Sequence, residues 1–359
     1  MNRREFIGMS AMAAASGLVG GVRAATKDEA IRAYMIQLGT RMWTDRKDAL
    51  DFEYPEWASL TEKITAAGMN MLLIDLGEGV KYASHPELAI PGSWSPERLR
   101  EELKRLRGLG LEPIPKLNFS TTHDAWLGPY ERMVSTKKYY EVCTDLINEV
   151  CDLFDGPRFF HLGYDEEGAR HQEYRSPGFL AGANGRGASC GQEPASRGYD
   201  MMILRQGELW WHDFLLMAGA VEKRGVRPWI WSDKYWTEPE EFIRRMPKSV
   251  MQSIWYYDAS FDIAELKTHE KEELAKEPRR LVNWKRVQSY LDLDKAGYEQ
   301  IPCGSNWSCD ANFGNLVRYC RGNLSASLLK GFLMAPWRYT VASKDEKLVA
   351  AIDLAKAAL

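Results

Sequence analysis

Eight short apolar runs, each followed by a helical pattern, are what most limits the folds open to this chain. Strands are expected over 34–38, 69–76, 113–119, 159–164, 227–232, 250–256, 300–304 and 331–335. Helices are expected over 56–67, 96–109, 137–154, 205–224, 238–245, 284–296, 312–320 and 344–359, with a charged helical segment around 270–276. Ser95-Pro96-Glu97 supplies a cap, a first-turn proline and an acid at the start of the second helix. Short apolar strands alternating with helices imply a parallel sheet covered by helices. Eight such units fit the α/β class as a single-domain (β/α)8 TIM barrel. An open doubly wound sheet would want a glycine-rich phosphate loop after an early strand, and Leu38-Gly39-Thr40-Arg41 is not one. The largest insertion, 168–199, follows the fourth strand and is rich in glycine. It reads as a loop over the barrel mouth, the alternative being a disordered surface loop.

Composition removes several function classes. With 45% hydrophobic and 11% aromatic residues and no low-complexity tract, the chain is neither fibrous nor disordered. The formal net charge of −3, with no basic stripe, speaks against a nucleic-acid partner. Beyond the N-terminus no apolar run approaches the roughly 18 to 20 residues needed to span a bilayer, so no membrane association is expected once that segment is removed. Thirteen tryptophans are many, and each needs a partner for its N–H when buried, which suggests aromatic-lined surfaces as well as core. Six cysteines, Cys143, Cys151, Cys190, Cys303, Cys309 and Cys320, contain no CxxC pair, so neither a zinc ribbon nor a thioredoxin-like site is indicated. Cys303 and Cys309 stay open as a late disulfide. No cofactor motif is found, and the oligomeric state is not legible.

The first 24 residues read as a targeting segment, with residues 25–359 as the barrel. Arg3-Arg4-Glu5-Phe6-Ile7 is followed by a small-residue, weakly apolar run to Gly21, and Val22-Arg23-Ala24 offers a cleavage site. The paired arginines resemble a twin-arginine export signal, which would place the mature protein in the periplasm or outside the cell. A chance arginine pair ahead of an amphipathic helix is the alternative.

In a (β/α)8 barrel the reacting groups come from the C-terminal strand ends. Here those ends carry Arg41 and Trp43, Asp75 and Glu78, Asn118 and His123, and Asp165, Glu166 and Glu167. The later strands add Trp231 and Asp233, then Trp255, Tyr257 and Asp258, then Trp307 and Asp310, then Trp337, Arg338 and Tyr339. Carboxylates supply acid and base work, and flat rings stack on the apolar faces of sugars, so a carbohydrate substrate is expected. A metal site is not: the first strand has no HxH pair, and His161 with Asp165 makes two ligands where zinc wants at least three.

The string His161-Leu162-Gly163-Tyr164-Asp165-Glu166 resembles the fourth-strand His-x-Gly-Gly-Asp-Glu of the family 20 glycoside hydrolases, the β-N-acetylhexosaminidases, with Tyr164 in place of the second glycine. The segment from Gly110 to His123 is similar to the family's third-strand stretch, with Lys116 and Asn118 where acids are usual. Arg41, Trp231-Ser232-Asp233, Trp255 and Trp337 are weaker matches, and the family's usual preceding α+β domain is missing. The resemblance implies a substrate-assisted, retaining cleavage of terminal β-linked N-acetylhexosamine. Glu166 would protonate the leaving oxygen and then activate water. Asp165 would orient the 2-acetamido group whose oxygen attacks the anomeric carbon. Arg41, His123, His161, Trp231, Asp233, Trp255, Trp307 and Trp337 would contact or brace the sugar, and Tyr256 or Tyr257 would meet the acetamido oxygen. Arg41 reads equally as an internal ion-pair partner, and His161 as a structural residue bracing Asp165. Arg338 and Tyr339 stand where the family often carries an acid for the outer hydroxyls. Two alternatives follow: a glycosidase pairing Glu166 with Asp233 or Asp258, and a carbohydrate-binding barrel without turnover. Adjacent residues of a regular strand face opposite ways, so Asp165 and Glu166 can share a site only where the strand has ended.

Overall fold

The computed structural model describes residues 29–41, 48–50, 54–131, 133–167, 205–261, 276–340 and 346–359. The segment 1–24, Trp43, the 168–199 insertion and all but the end of the charged segment around 270–276 lie outside the described residues. All eight expected strands form: β1 (Ile31–Gln37), β2 (Met71–Asp75), β3 (Glu112–Lys116), β4 (Phe159–His161), β5 (Arg227–Trp231), β6 (Met251–Ser253), β7 (Cys303–Gly304) and β8 (Gly331–Met334). They make one all-parallel sheet in the order β6-β5-β4-β3-β2-β1-β8-β7. The last seam, β6 to β7, is joined by the isolated bridges Gln252–Gln300 and Trp255–Cys303. The chain is therefore a (β/α)8 barrel.

The helices are α1 (Tyr54–Ala66), α2 (Pro96–Gly108), α3 (Lys137–Leu153), α4 (Gly207–Lys223), α5 (Lys234–Thr237), α6 (Pro239–Arg245), α7 (Pro278–Lys295), α8 (Asn312–Asn323) and α9 (Glu346–Ala358). At the start of α2 the Ser95 side chain accepts the Arg98 N–H at 3.2 Å, with Pro96 in the first turn, as expected. Helix α7 starts six residues earlier than expected, on Pro278, whose missing N–H is no loss in a first turn.

Side-chain parity organises the packing. Strand residues alternate between faces; the odd-numbered ones point into the barrel on every strand but β3, whose register sets the even-numbered Ile114 and Lys116 beside Leu73 and Asp75. Ile31, Ala33, Met35, Met71, Leu73, Ile114, Phe159, Trp229, Trp231, Met251, Ile301, Cys303 and Leu333 form one interior cluster. Even-numbered neighbours such as Tyr34, Ile36, Leu72, Ile74, Phe160, Ile230 and Phe332 face outward, against helix residues such as Leu103, Val142, Leu146, Phe214 and Met217. The strands end earlier than their apolar runs, β3 at Lys116 and β4 at His161. Leu117, Phe119 and Leu162 continue into the outer core as buried loop residues, which is why the runs overstate strand length. The described cysteines, Cys303 and Cys309 included, are free thiols. Among the described residues no helix is long and apolar enough to cross a membrane.

Candidate active site

The same parity brings the polar groups together at the C-terminal end of the barrel. Gln37, Asp75, Lys116 and His161 are successive register partners across β1 to β4, and each is buried. Lys116 Nζ lies 2.5 Å from Asp75 Oδ2, a buried ion pair above the apolar interior. Burial raises the Asp75 carboxyl above its usual range, against the pull of Lys116. His161 is fully buried between Trp229 and Trp231, with ring centroids at 5.1 and 4.4 Å. Its Nδ1 accepts the Gly163 N–H at 3.0 Å, and burial, then Lys116, holds it neutral. It braces the turn that leads to Asp165 and is not among the residues lining the cavity described below.

That turn departs from strand geometry. Gly163 (φ 74°), Tyr164 (φ 71°) and Glu166 (φ 58°) all have left-handed backbone. A Cβ at Gly163 would fall 1.9 Å from Asn118 Oδ1, so the close approach of the two strand ends requires glycine there. Tyr164 accepts the left-handed conformation because its ring packs in T-shaped contacts against both Trp210 and Phe214 of α4, with the Arg205 guanidinium 4.8 Å from it. With alternation broken, Asp165 and Glu166 face the same space.

Asp165 is tightly held. Asn118 Nδ2 donates to its Oδ1 at 2.8 Å, and its backbone carbonyl accepts from the Ser120 and Thr122 hydroxyls. His123 Nε2 lies 3.4 Å from Asp165 Oδ2 and 3.3 Å from Glu166 Oε2. Burial alone would lower the His123 pKa, but the charge of Asp165 and the hydrogen bond and charge of Glu166 outweigh it and raise it. The Glu166 side chain is more open than that of Asp165, at 30% against 10% exposure. The Glu166 N–H donates to Asp233 Oδ2 at 2.8 Å, and Trp255 Nε1 to Asp233 Oδ1 at 3.3 Å. Burial, then the Asp165 charge, pushes the Asp233 carboxyl up to about 7.

These groups border a cavity of about 510 Å³ lined by His123, Asp165, Glu166, Trp255, Tyr257, Asp258, Arg286, Trp307, Ser308 and Trp337. Trp337 Nε1 donates to the Tyr257 hydroxyl at 2.8 Å, and Trp307 stands at the rim, 51% exposed. Of the residues singled out in the sequence, His123, Asp165, Glu166, Trp255, Tyr257, Asp258, Trp307 and Trp337 meet here. Trp231 is fully buried, 5.6 Å from Trp337, as support for the wall. Asp233 acts on the site through its bonds to Glu166 and Trp255. Arg41 is not among the lining residues and lies close enough to Glu78 for its charge to act there. Of the two tyrosine candidates, Tyr257 lines the cavity, while Tyr256 packs on Phe261 and donates to the Ser260 carbonyl. Parity could have distinguished them. Arg286, on α7, escaped notice because it sits on a helix rather than at a strand end. His123, Asp165 and Glu166 also form the grouping among the described residues whose ligand atoms, within 4.8 Å of one another, are spaced to seat a metal ion.

No protein-family model matches the chain, and no curated protein matches it in sequence. Similarity appears among solved structures. A β-N-acetylhexosaminidase from Bacteroides fragilis NCTC 9343 is similar over 90% of this chain and 65% of its own, at 13% identity and a TM-score of 0.55. The Flavobacterium johnsoniae chitobiase, a family 20 glycoside hydrolase, is similar over 91% of this chain and 48% of its own, at 17% identity and a TM-score of 0.56. Dispersin B is similar over 93% of this chain and 97% of its own, at 15% identity and a TM-score of 0.50. The chain thus spans less than two thirds of the length of the first two. At these identities the likeness establishes a shared barrel fold.

Proposed function

We propose that the chain is an exported glycoside hydrolase that releases terminal β-linked N-acetylhexosamine by substrate-assisted, retaining chemistry. The observation that carries this is the left-handed turn after β4, which turns two consecutive carboxylates, Asp165 and Glu166, into one aromatic-walled cavity. The β-N-acetylhexosaminidase and the chitobiase among its structural neighbours support the same reading. A glycosidic oxygen leaves poorly unless protonated, and Glu166, the more open of the pair, is the group to protonate it. Asp165, fixed by Asn118 and beside His123, is the group to accept the acetamido N–H and steady the positive charge that develops as the acetamido oxygen attacks. Glu166 then takes the proton of the incoming water. Export rests on the twin-arginine resemblance of residues 1–24. The two-carboxylate alternative has less support from Asp233, whose oxygens already accept from Glu166 and Trp255, than from Asp258, which lines the cavity.

The test compares 4-nitrophenyl β-hexosides with and without the 2-acetamido group, and measures binding of a thiazoline that mimics the cyclic intermediate. Cleavage only of the acetamido sugars is expected, with thiazoline bound far more tightly than product. Asp165→Asn should weaken the thiazoline by about 1.5 to 3 kcal/mol, the value of a hydrogen bond to a charged group. Equal, weak thiazoline binding by both forms would exclude substrate assistance, and sugar binding without any hydrolysis would favour the non-catalytic alternative.

A further inference from the structure

The substrate cavity contains a cation that the reaction above does not use. Arg286 projects from α7 into the cavity wall, its guanidinium carbon 4.7 Å from the Trp236 ring centroid and 5.2 Å from that of Trp255. Two indole faces thus hold the guanidinium, and their attraction for a cation favours keeping it in place. Its Nε is buried with no hydrogen-bond partner, and no carboxylate among the described residues lies within ion-pair distance of it. Acids are nearby: Asp165, Glu166 and Asp258 line the same cavity. Asp258 instead accepts from Asn283 Nδ2 at 2.9 Å, and Asn283 lies one turn before Arg286 on the same helix. One helix therefore engages the local aspartate with a neutral amide, and among the described residues no acid pairs with its arginine.

A neutral sugar hydroxyl offers a guanidinium a single acceptor and no compensating charge. An oxyanion offers a pair of acceptor oxygens spaced to match the fork of N–H donors, together with a compensating charge. We infer that Arg286 recognises an anionic group on the glycan, so that this site takes an acidic glycan: a sulfated N-acetylhexosamine or one linked to a uronic acid. Sulfate and carboxylate share the oxyanion chemistry, and Arg286, on the wall of the same cavity as the acid pair, can meet either. This rests on reading the cavity as a sugar site, and it adds a substrate class to that reading.

The test is calorimetric binding to the full mature chain, with hydrolysis followed separately. N-acetylglucosamine 6-sulfate is compared with N-acetylglucosamine, and N-acetylglucosaminyl-β-glucuronic acid with the corresponding disaccharide of glucose. At least one acidic ligand should bind about 10- to 100-fold more tightly than its neutral counterpart, the range for a charge-assisted hydrogen bond. Which pair shows the preference tells sulfate from carboxylate. That ratio should shrink on raising the salt, fall towards one in Arg286→Gln and survive in part in Arg286→Lys. A wild-type ratio within twofold of one for both pairs overturns the inference, whether or not any variant folds. So does a preference that Arg286→Gln, once shown to be folded, keeps in full. Hydrolysis of neutral substrates without an acidic preference leaves the hydrolase reading standing and removes this one. An acidic preference without any hydrolysis does the reverse.

Discussion

Tyr164 and Glu166 both hold a left-handed backbone, which costs a non-glycine residue about 1 to 3 kcal/mol each and persists only where the surroundings impose it. The surroundings here are specific: the Tyr164 ring is packed on α4, and the Glu166 N–H is captured by Asp233. Strain is thus spent where two adjacent carboxylates line one cavity. Glu166→Gln should fold normally and lose about 100- to 10,000-fold in turnover of an unactivated disaccharide, with a much smaller loss on aryl glycosides whose leaving group needs no protonation. Near-normal disaccharide turnover would remove Glu166 as the acid. Asp233 gives a pH signature. Its carboxyl titrates near 7 in the folded chain against an ordinary 3.8. Between those values the folded state holds a proton that the unfolded state has released. Its contribution to stability is therefore full below pH 3.8 and is lost as pH rises through about 7. Asp233→Asn should flatten that part of the profile, by roughly 2 to 4 kcal/mol between pH 4.5 and 8. Parallel denaturation profiles for both forms would show that burial does not hold the proton there.

At the level of elements, the site depends on how α4 is fastened to the loops after β3 and β4. Arg205, fully buried just before α4, donates to Glu167, to the Phe119 carbonyl and to Asp213. Glu167 in turn accepts the Thr121 N–H at 2.8 Å, tying the loop that carries His123 to the one that carries Asp165 and Glu166. Asp213 also accepts from Ser135 and Tyr140. Arg205→Met would leave Glu167 charged and buried, and should cost about 3 to 5 kcal/mol in denaturant unfolding. Adding Glu167→Gln should restore part of it, because Asp213 keeps its two hydroxyl donors. A single-variant loss below 1 kcal/mol would mean that the loops are held by other contacts. The sequence carried little sign of this clamp. Arg205 stood in an expected helix, and a lone arginine there reads as a surface residue until the fold buries it.

For the whole molecule, the barrel is uneven around its circumference. β1 and β2 share five register pairs, whereas β6 and β7 meet through two isolated bridges. The amides of that seam, Gln252, Ile301 and Cys303, still find carbonyls at 3.1, 2.9 and 2.9 Å. Native-state hydrogen exchange should open this seam at lower free energy than the β1–β2 interface, since local stability follows the density of such bonds and contacts. Equal protection at both would show that the barrel opens as one unit. The seam is also where Trp255 leaves β6 for the cavity wall, so a weakly paired seam carries part of that wall.

The barrel is legible in the amino-acid order alone, because burying both faces of eight short strands leaves few other closed arrangements, and that requirement is written locally as runs and helical patterns. It also pointed to Asp165 and Glu166, whose motif is contiguous. Parity along each strand was legible too, and would have chosen Tyr257 over Tyr256. Parity does not reach the contacts between distant elements. Asn118 meets Asp165, Asp233 meets Glu166, Lys116 meets Asp75, and Arg286 arrives from a helix. Those distances follow from strand register and helix placement, which are set by the packing of the whole shell and not by any short stretch of chain.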